Sequence, residues 1–265
     1  MAVFGGVYGN WQALRAFLEA AQTPPEMLVC TGDLAGYCAD GAAVCAFARQ
    51  NLIGAVFARG NCERAVAADE EDCGCGFAPG TVCERLSAAW HAHAKNSINA
   101  EDKTWLGELP ARRIIRFGGR RLAVLHADAE TDNNFIFASS PAAQKRRALE
   151  KLGVDGVIAG HGGIPFTQKL GEKIWHNSGA LGMPANDGTP RVWYSRWFAR
   201  AGGIEIRHYP LEYDVAGAQE AMRRAKLPPE YRESLQSGIW PSDSVLPPRE
   251  KKRQGKPLNP PPYFW

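Results

Sequence analysis

Residues 27–33 read MLVCTGD: an apolar run through Leu28, Val29 and Cys30 that ends in Thr31, Gly32 and Asp33. A run this short, bounded by a glycine and a polar side chain, reads as a buried strand. The glycine lets the backbone turn sharply as it leaves the sheet. The pattern recurs along the chain. The strand through Val56 runs into Arg59-Gly60-Asn61, the strand through Val124 ends on His126, and the strand through Ile158 leads to Gly160-His161. Each of these strand ends delivers a ligand-type side chain. In open α/β sheets, ligands bind outside the carboxyl ends of the strands. Asp33, Asn61, His126 and His161 form a mixed oxygen and nitrogen set that suits one divalent transition metal such as Mn, Fe, Ni or Zn. Taken singly, Gly-Asp and Gly-Asn are also common turn formers. Their joint placement carries the reading.

Working outward, short apolar runs alternate with helical patterns, which predicts a sheet with helices on its faces. Strands are expected at 2–8, 27–31, 53–58, 112–117, 121–126, 157–159, 173–176, 192–198 and 204–209. Gly118-Gly119 reads as the turn of a hairpin. Helices are expected at 12–21 behind an Asn10 cap, at 42–50, at 101–109, from Ser140-Pro141 to Gly153, and from Asp214 to a point before Pro228. From about residue 241 the chain turns proline-rich and basic, so 241–265 is expected as an extended tail behind a domain of residues 1–240.

The chain of 265 residues is long enough for a large core, and its net charge of +3 is too small to argue for nucleic acid or a membrane surface. No apolar run is long enough to span a membrane, and the start MAVFGGVYGNW lacks the plan of a signal peptide, so a cytoplasmic location is expected. The seven cysteines, an odd number in such a chain, argue against a disulfide framework. Cys30 and Cys45 read as core residues. Cys73, Cys75 and Cys83 lie in DEEDCGCGFAPGTVC and read as loop cysteines near solvent, or, with Cys62, as a zinc or redox cluster.

The series GNWQAL, TGDLAGYCAD, RGNCE, LHAD, AGHGGIPF and NSGALGMPANDGTPRVWY, in this order over residues 2–240, resembles the calcineurin-like metallophosphoesterases, in particular the small bacterial phosphoesterases and diadenosine-tetraphosphatase-like members. The resemblance implies a four-layer α/β/β/α sandwich with two metals about 3.5–4 Å apart that clamp a phosphate and generate a hydroxide nucleophile. It also implies where this chain departs from the pattern. The Asp-x-His positions of the first metal are Gly6 and Tyr8, and the last His of Gly-His-x-His is Gly163. Every ligand that belongs only to the first metal is lost. Asp33, Asn61, His126 and His161, the set for the second metal, survive. Cys62 stands where the family carries a histidine that protonates the leaving group, and Glu63 where an acid orients that group. Cys62 and His126 are therefore the candidate catalytic residues, and Asn10 and Arg59 the candidate substrate-binding ones.

Two functions follow from this reading. One is a metal-dependent hydrolase of a small phosphate ester or nucleotide, working with one metal at reduced activity. The other is an inactive binding or regulatory protein that contacts a phosphorylated small molecule, or a partner protein through its tail. Arg64, His91 and His93 read either as phosphate contacts or as surface.

Overall fold

The computed structural model describes residues 1–21 and 27–265. In chain order the elements are β1 (Ala2–Phe4), α1 (Trp11–Ala20), β2 (Leu28–Cys30), α2 (Gly41–Asn51), β3 (Val56–Phe57), α3 (Asn61–Ala67), α4 (Val82–Ser97), α5 (Ala100–Glu108), β4 (Arg112–Phe117) and β5 (Arg120–Leu125). They continue as α6 (Ala142–Leu152), β6 (Gly156–Ala159), β7 (Phe166–Leu170), β8 (Lys173–Asn177), β9 (Val192–Arg200), β10 (Gly203–Leu211), α7 (Val215–Arg224), α8 (Pro229–Ser237), α9 (Pro248–Lys251) and β11 (Tyr263–Phe264).

The strands form a six-stranded sheet in the order β11-β10-β9-β1-β2-β3 and a five-stranded sheet in the order β4-β5-β6-β8-β7. The strand period of two sorts their side chains into layers. Val3, Val29, Leu122, Val124, Ile158 and Ile174 point between the sheets and pack there with Trp197, Ile204 and Ile206. Ala2, Phe4 and Cys30 point outward onto Leu14 and Phe17 of α1 and Val44 and Cys45 of α2. Ala123, Leu125, Val157, Ala159 and Trp175 point outward from the second sheet onto Ala148 and Leu149 of α6. The result is the expected helix, sheet, sheet, helix sandwich. Among the described residues no helix is long and apolar enough to cross a membrane.

The expected caps hold at Asn10, which accepts from the Ala13 amide at 3.0 Å, and at Asp214, which accepts from the Gly217 amide at 2.9 Å. Gly153 ends α6 in the left-handed conformation. Ser140 does not cap that helix; its hydroxyl accepts from the Phe137 amide. Helices α3, α4, α8 and α9 and strands β7 and β11 go beyond the expected set. Helix α4 swallows the end of the cysteine-rich segment. Thr81 accepts from the Glu84 amide at its start, and Leu86, Trp90 and Ala94 bury one face.

The segment 241–265 is the main correction to the architecture. Instead of extending into solvent, it lies along the sandwich. Glu250 is buried and accepts from the Ser139 amide at 3.0 Å and from the Ser139 hydroxyl. The Leu258 amide donates to Asp187 at 2.8 Å. Strand β11 then pairs with β10, and Trp265 packs into the layer between the sheets while its indole N–H donates to the Glu172 carbonyl at 2.9 Å. The prolines cannot join a ladder, but Tyr263-Phe264-Trp265 after them can, and they cover an otherwise open edge. Trp265→Ala should therefore cost about 3–5 kcal/mol of unfolding free energy, measured by denaturant titration. An unchanged midpoint would show that the segment is not part of the core.

Candidate metal centre

The geometry of the centre begins with Glu63. Its buried carboxylate accepts from the amides of Asp33 (2.7 Å), Leu34 (2.6 Å) and Gly60 (2.7 Å). It thereby ties the loop after β2 to the turn between β3 and α3. The approach is so close that a Cβ on Gly60 would stand 2.3 Å from Asp33 Oδ1 and 2.8 Å from Glu63 Oε2, so only glycine fits. Burial first, and then the neighbouring Asp33 charge, push the Glu63 carboxyl up to about 7.

Around this clamp four side chains converge. His126 Nδ1 donates to the Thr31 carbonyl at 2.7 Å, which fixes the ring and turns Nε2 into the centre. Nε2 lies 3.2 Å from Asp33 Oδ2, 3.1 Å from Asn61 Oδ1 and 3.0 Å from His161 Nδ1. The Asn61 amide is oriented by its Nδ2, which donates to the Cys73 carbonyl at 2.8 Å and to Cys75 Sγ at 3.2 Å. The structure thus brings together all four expected ligands, buried, from four strand ends. The ligating atoms of Asp33, His126 and His161 lie within 4.8 Å of one another.

The set fits a divalent cation. Four atoms that can all act as acceptors face one another, and a proton on His126 Nε2 is one way of holding them together. Although burial opposes charge there, Asp33 and its hydrogen bond raise His126 to about 9. Burial together with the His126 charge lowers His161 to about 3. Asp33, against the cost of burial, is held below the usual carboxylate range by His126. A metal ion in this position would replace that proton.

The other expected residues fall elsewhere. Cys62 is fully buried among Tyr8, Cys38, Cys75, Leu86 and Trp90, and burial pushes its thiol well up. Its Sγ lies 3.6 Å from Asn61 Nδ2 and its thiol bonds to the Asp33 carboxylate, so it stands against the centre although it does not line the cavity beside it. Asn10 is spent on capping α1 and on the Gly182 carbonyl at 3.1 Å. Arg59 donates to the Gly107 carbonyl at 2.8 Å. Both were expected to meet substrate, and both instead satisfy backbone groups. Arg64 pairs with Asp132 at 2.7 Å and with Glu70. His91 and His93 pin loops to α4 through the Glu70 and Ala39 carbonyls. Cys73, Cys75 and Cys83 are buried rather than near solvent, and all are free thiols.

The lost positions are filled by rings. A Cβ on Gly6 would lie 2.9 Å from the Tyr8 ring, and one on Gly163 would lie 3.5 Å from Trp240. Between these rings a cavity of about 70 Å³ opens beside His161, with Tyr37, Phe135 and Tyr231 among its walls. The sequence reading marks Tyr8 as a departure from the family pattern. It missed Trp240, which follows α8 at the boundary of the supposed tail, where no motif marks it.

A family model described as calcineurin-like phosphoesterase matches residues 2–165. The chain belongs to the calcineurin-like phosphoesterase family. Among solved structures it is similar to a metallophosphoesterase from Sphaerobacter thermophilus, at 20% identity and a TM-score of 0.72 over 90% of this chain and 98% of that one. It is also similar to a hypothetical protein from Pyrococcus horikoshii OT3, at 15% identity and a TM-score of 0.74 over 91% and 98%. At these identities the likeness shows the fold. A search of curated proteins finds no match. Divalent metals belong to this family, and the cluster just described is where this member can hold one.

Because His126 is protonated below about 9, metal binding must expel that proton. Affinity for Mn²⁺ should rise with pH, by about a hundredfold from pH 6 to pH 8 for one proton released, and level off above pH 9. Competition against a chelator of known affinity measures this. A flat profile would mean that the proton is absent from the free protein.

Proposed function

We propose that this protein is a phosphoester hydrolase that works with one divalent cation held by Asp33, Asn61, His126 and His161. The observation that carries the proposal is the convergence of Asp33 Oδ2, Asn61 Oδ1 and His161 Nδ1 on His126 Nε2 at 3.0–3.2 Å. When bound, the cation supplies polarisation of a phosphoryl oxygen and a lowered pKa for water. The protein's own residues set what that chemistry can reach. Thr31 holds His126 in one tautomer, and Glu63 holds Asp33 and Asn61 at a fixed spacing. With the Cys62 thiol buried and pushed well up, it is a poor proton donor, and leaving groups must depart with little acid assistance. Esters of acidic alcohols, aryl esters above all, suit such a site. With no first-metal ligands to clamp the nucleophile and leaving group together, turnover should lie well below that of a binuclear site.

A second reading, a binding protein without turnover, is favoured by one specific observation. The cavity beside the centre is walled by aromatic rings, and no Lys or Arg is among its lining residues. One experiment separates the two. Elemental analysis after loading with Mn²⁺ should give one metal per chain, lost in Asp33→Ala, and the loaded protein should cleave bis(p-nitrophenyl) phosphate in a metal-dependent way. One metal without turnover selects the binding reading. No metal removes both forms of the metal-centre proposal.

The filled first site makes a further test. Gly6→Asp alone must push against the Tyr8 ring, so it should destabilise the fold by about 1–3 kcal/mol. Adding Tyr8→His removes the Tyr8 ring, leaving the positive φ of Gly6 and Ala180 Cβ at 3.0 Å as the remaining costs. With Gly163→His as well, a second metal should bind and turnover should rise, whereas each single change should do little. A folded triple variant that binds two metals and stays inert would show that loss of ligands is not what limits activity.

A further inference from the structure

We propose that the volume vacated by the first metal has become a subsite for a flat aromatic ring carried directly on the phosphoryl group of the ligand. The inference rests on the hydrolase reading and names its substrate class: aryl phosphoesters, ahead of alkyl phosphates and nucleotides. Three observations carry it. Both lost-ligand positions are covered by rings, Tyr8 over Gly6 and Trp240 beside Gly163, so the space has been rebuilt as an apolar surface. The cavity between them, about 70 Å³, is lined by Tyr8, Tyr37, Phe135, Tyr231 and Trp240 with Met183 at its wall, a composition that suits an aromatic ring and offers a phosphate no Lys or Arg to pair with. The same cavity is lined by His161, whose Nδ1 faces the metal centre, so a ligand seated in it lies directly against the place where a phosphoryl group would be held.

The walls are braced. Tyr37 stacks on Trp90 at 4.7 Å and meets Tyr8 edge-on at 4.6 Å and Tyr231 edge-on at 4.9 Å. Trp240 is held by its indole N–H, which donates to the Pro184 carbonyl at 2.7 Å, and by its amide, which donates to Asn186 at 2.9 Å. Phe135 lies 4.3 Å from the His161 ring and so bridges the cavity and the centre. A cavity of this size leaves room for no more than one ring. A nucleotide, whose ribose separates base from phosphate, would have to place the sugar in the apolar slot.

Calorimetric titration with phenylphosphonate, methylphosphonate and uridine monophosphate tests this without turnover. On Mn²⁺-loaded protein, phenylphosphonate should bind at least tenfold more tightly than either of the others. The phenyl-to-methyl ratio should persist in chelator-treated protein, even with both ligands weakened. Trp240→Ala should reduce phenylphosphonate affinity fivefold or more and leave methylphosphonate within twofold. Val245→Trp, at a partly exposed wall position, should block the ring in the same selective way if Trp240→Ala fails to fold. Equal binding of phenyl and methyl ligands overturns the proposal, as does uridine monophosphate binding more tightly than phenylphosphonate. If no metal binds but the phenyl preference holds, the hydrolase reading fails and the subsite stands.

Discussion

Three backbone amides share one carboxylate, and the functional end of the sandwich depends on that arrangement. Glu63 takes the N–H groups of Asp33, Leu34 and Gly60. Charge-assisted bonds of this kind are worth about 1.5–3 kcal/mol each, and leaving the amides buried and unpaired would cost comparable amounts. The clamp joins the ends of two parallel strands, β2 and β3, at a point where the sheet ladder has already stopped. Asp33 and Asn61 therefore approach each other with the precision of a sheet although both lie in loops. Asp33 Oδ1 then accepts from the Cys62 amide at 3.2 Å, which leaves Oδ2 for His126.

The convergence of Asp33, Asn61, His126 and His161 was legible in the sequence because strand ends advertise themselves. An apolar run that stops at Gly-Asp, Gly-Asn or Gly-His exposes a polar group at a sheet edge, and parallel strands bring such edges together. The sandwich was legible for the same reason, since Val3, Val124 and Ile158 alternate with Phe4, Leu125 and Ala159 between two covered faces. Helix α4 was legible too, through Thr81 and Glu84 at its start and Leu86, Trp90 and Ala94 on one face, but the glycines and acids just before it masked the signal. Arg59 and Asn10 could not be judged from sequence. Whether a polar side chain meets a ligand or a backbone carbonyl depends on which unrelated segment passes nearby, Gly107 in one case and Gly182 in the other. The C-terminal segment was misread because composition reports the prolines, whereas its docking depends on the three aromatic residues that follow them.

The two halves of the family's site are separable because they stand on different elements. The retained ligands hang on the ends of β2, β3, β5 and β6, braced by Glu63 and by Thr31. The lost ones belong to the loop after β1 and to Gly163, and that loop is held independently by its backbone. Tyr8 N–H donates to Asp33 O at 2.9 Å, and Gly182 N–H donates to Gly6 O at 2.7 Å. Side chains on the first-metal side can therefore change without disturbing the bonds that place Asp33.

Backbone conformation shows which positions still bear a demand. Asp33 (φ 57°), His161 (φ 54°) and Tyr8 (φ 52°) all sit in the left-handed region. A residue held there by its surroundings costs of order 1–3 kcal/mol, and such residues gather where the strained geometry has a use. At Gly6 (φ 53°) and Gly163 (φ 64°), where the ligands are gone, the same backbone is occupied by glycine, which bears no such penalty. Strain thus persists at two candidate metal ligands and is absent from the two glycine positions. Tyr8 is the exception, a lost-ligand position where a bulky side chain keeps the strained backbone. Its ring lies over Gly6 and walls the cavity, and a glycine in its place would leave that wall open. Asp69, Asn186 and Lys226 hold the same conformation elsewhere in the fold, so it is the place of Tyr8 in the cavity wall, beside Tyr37, that gives its strained backbone a use.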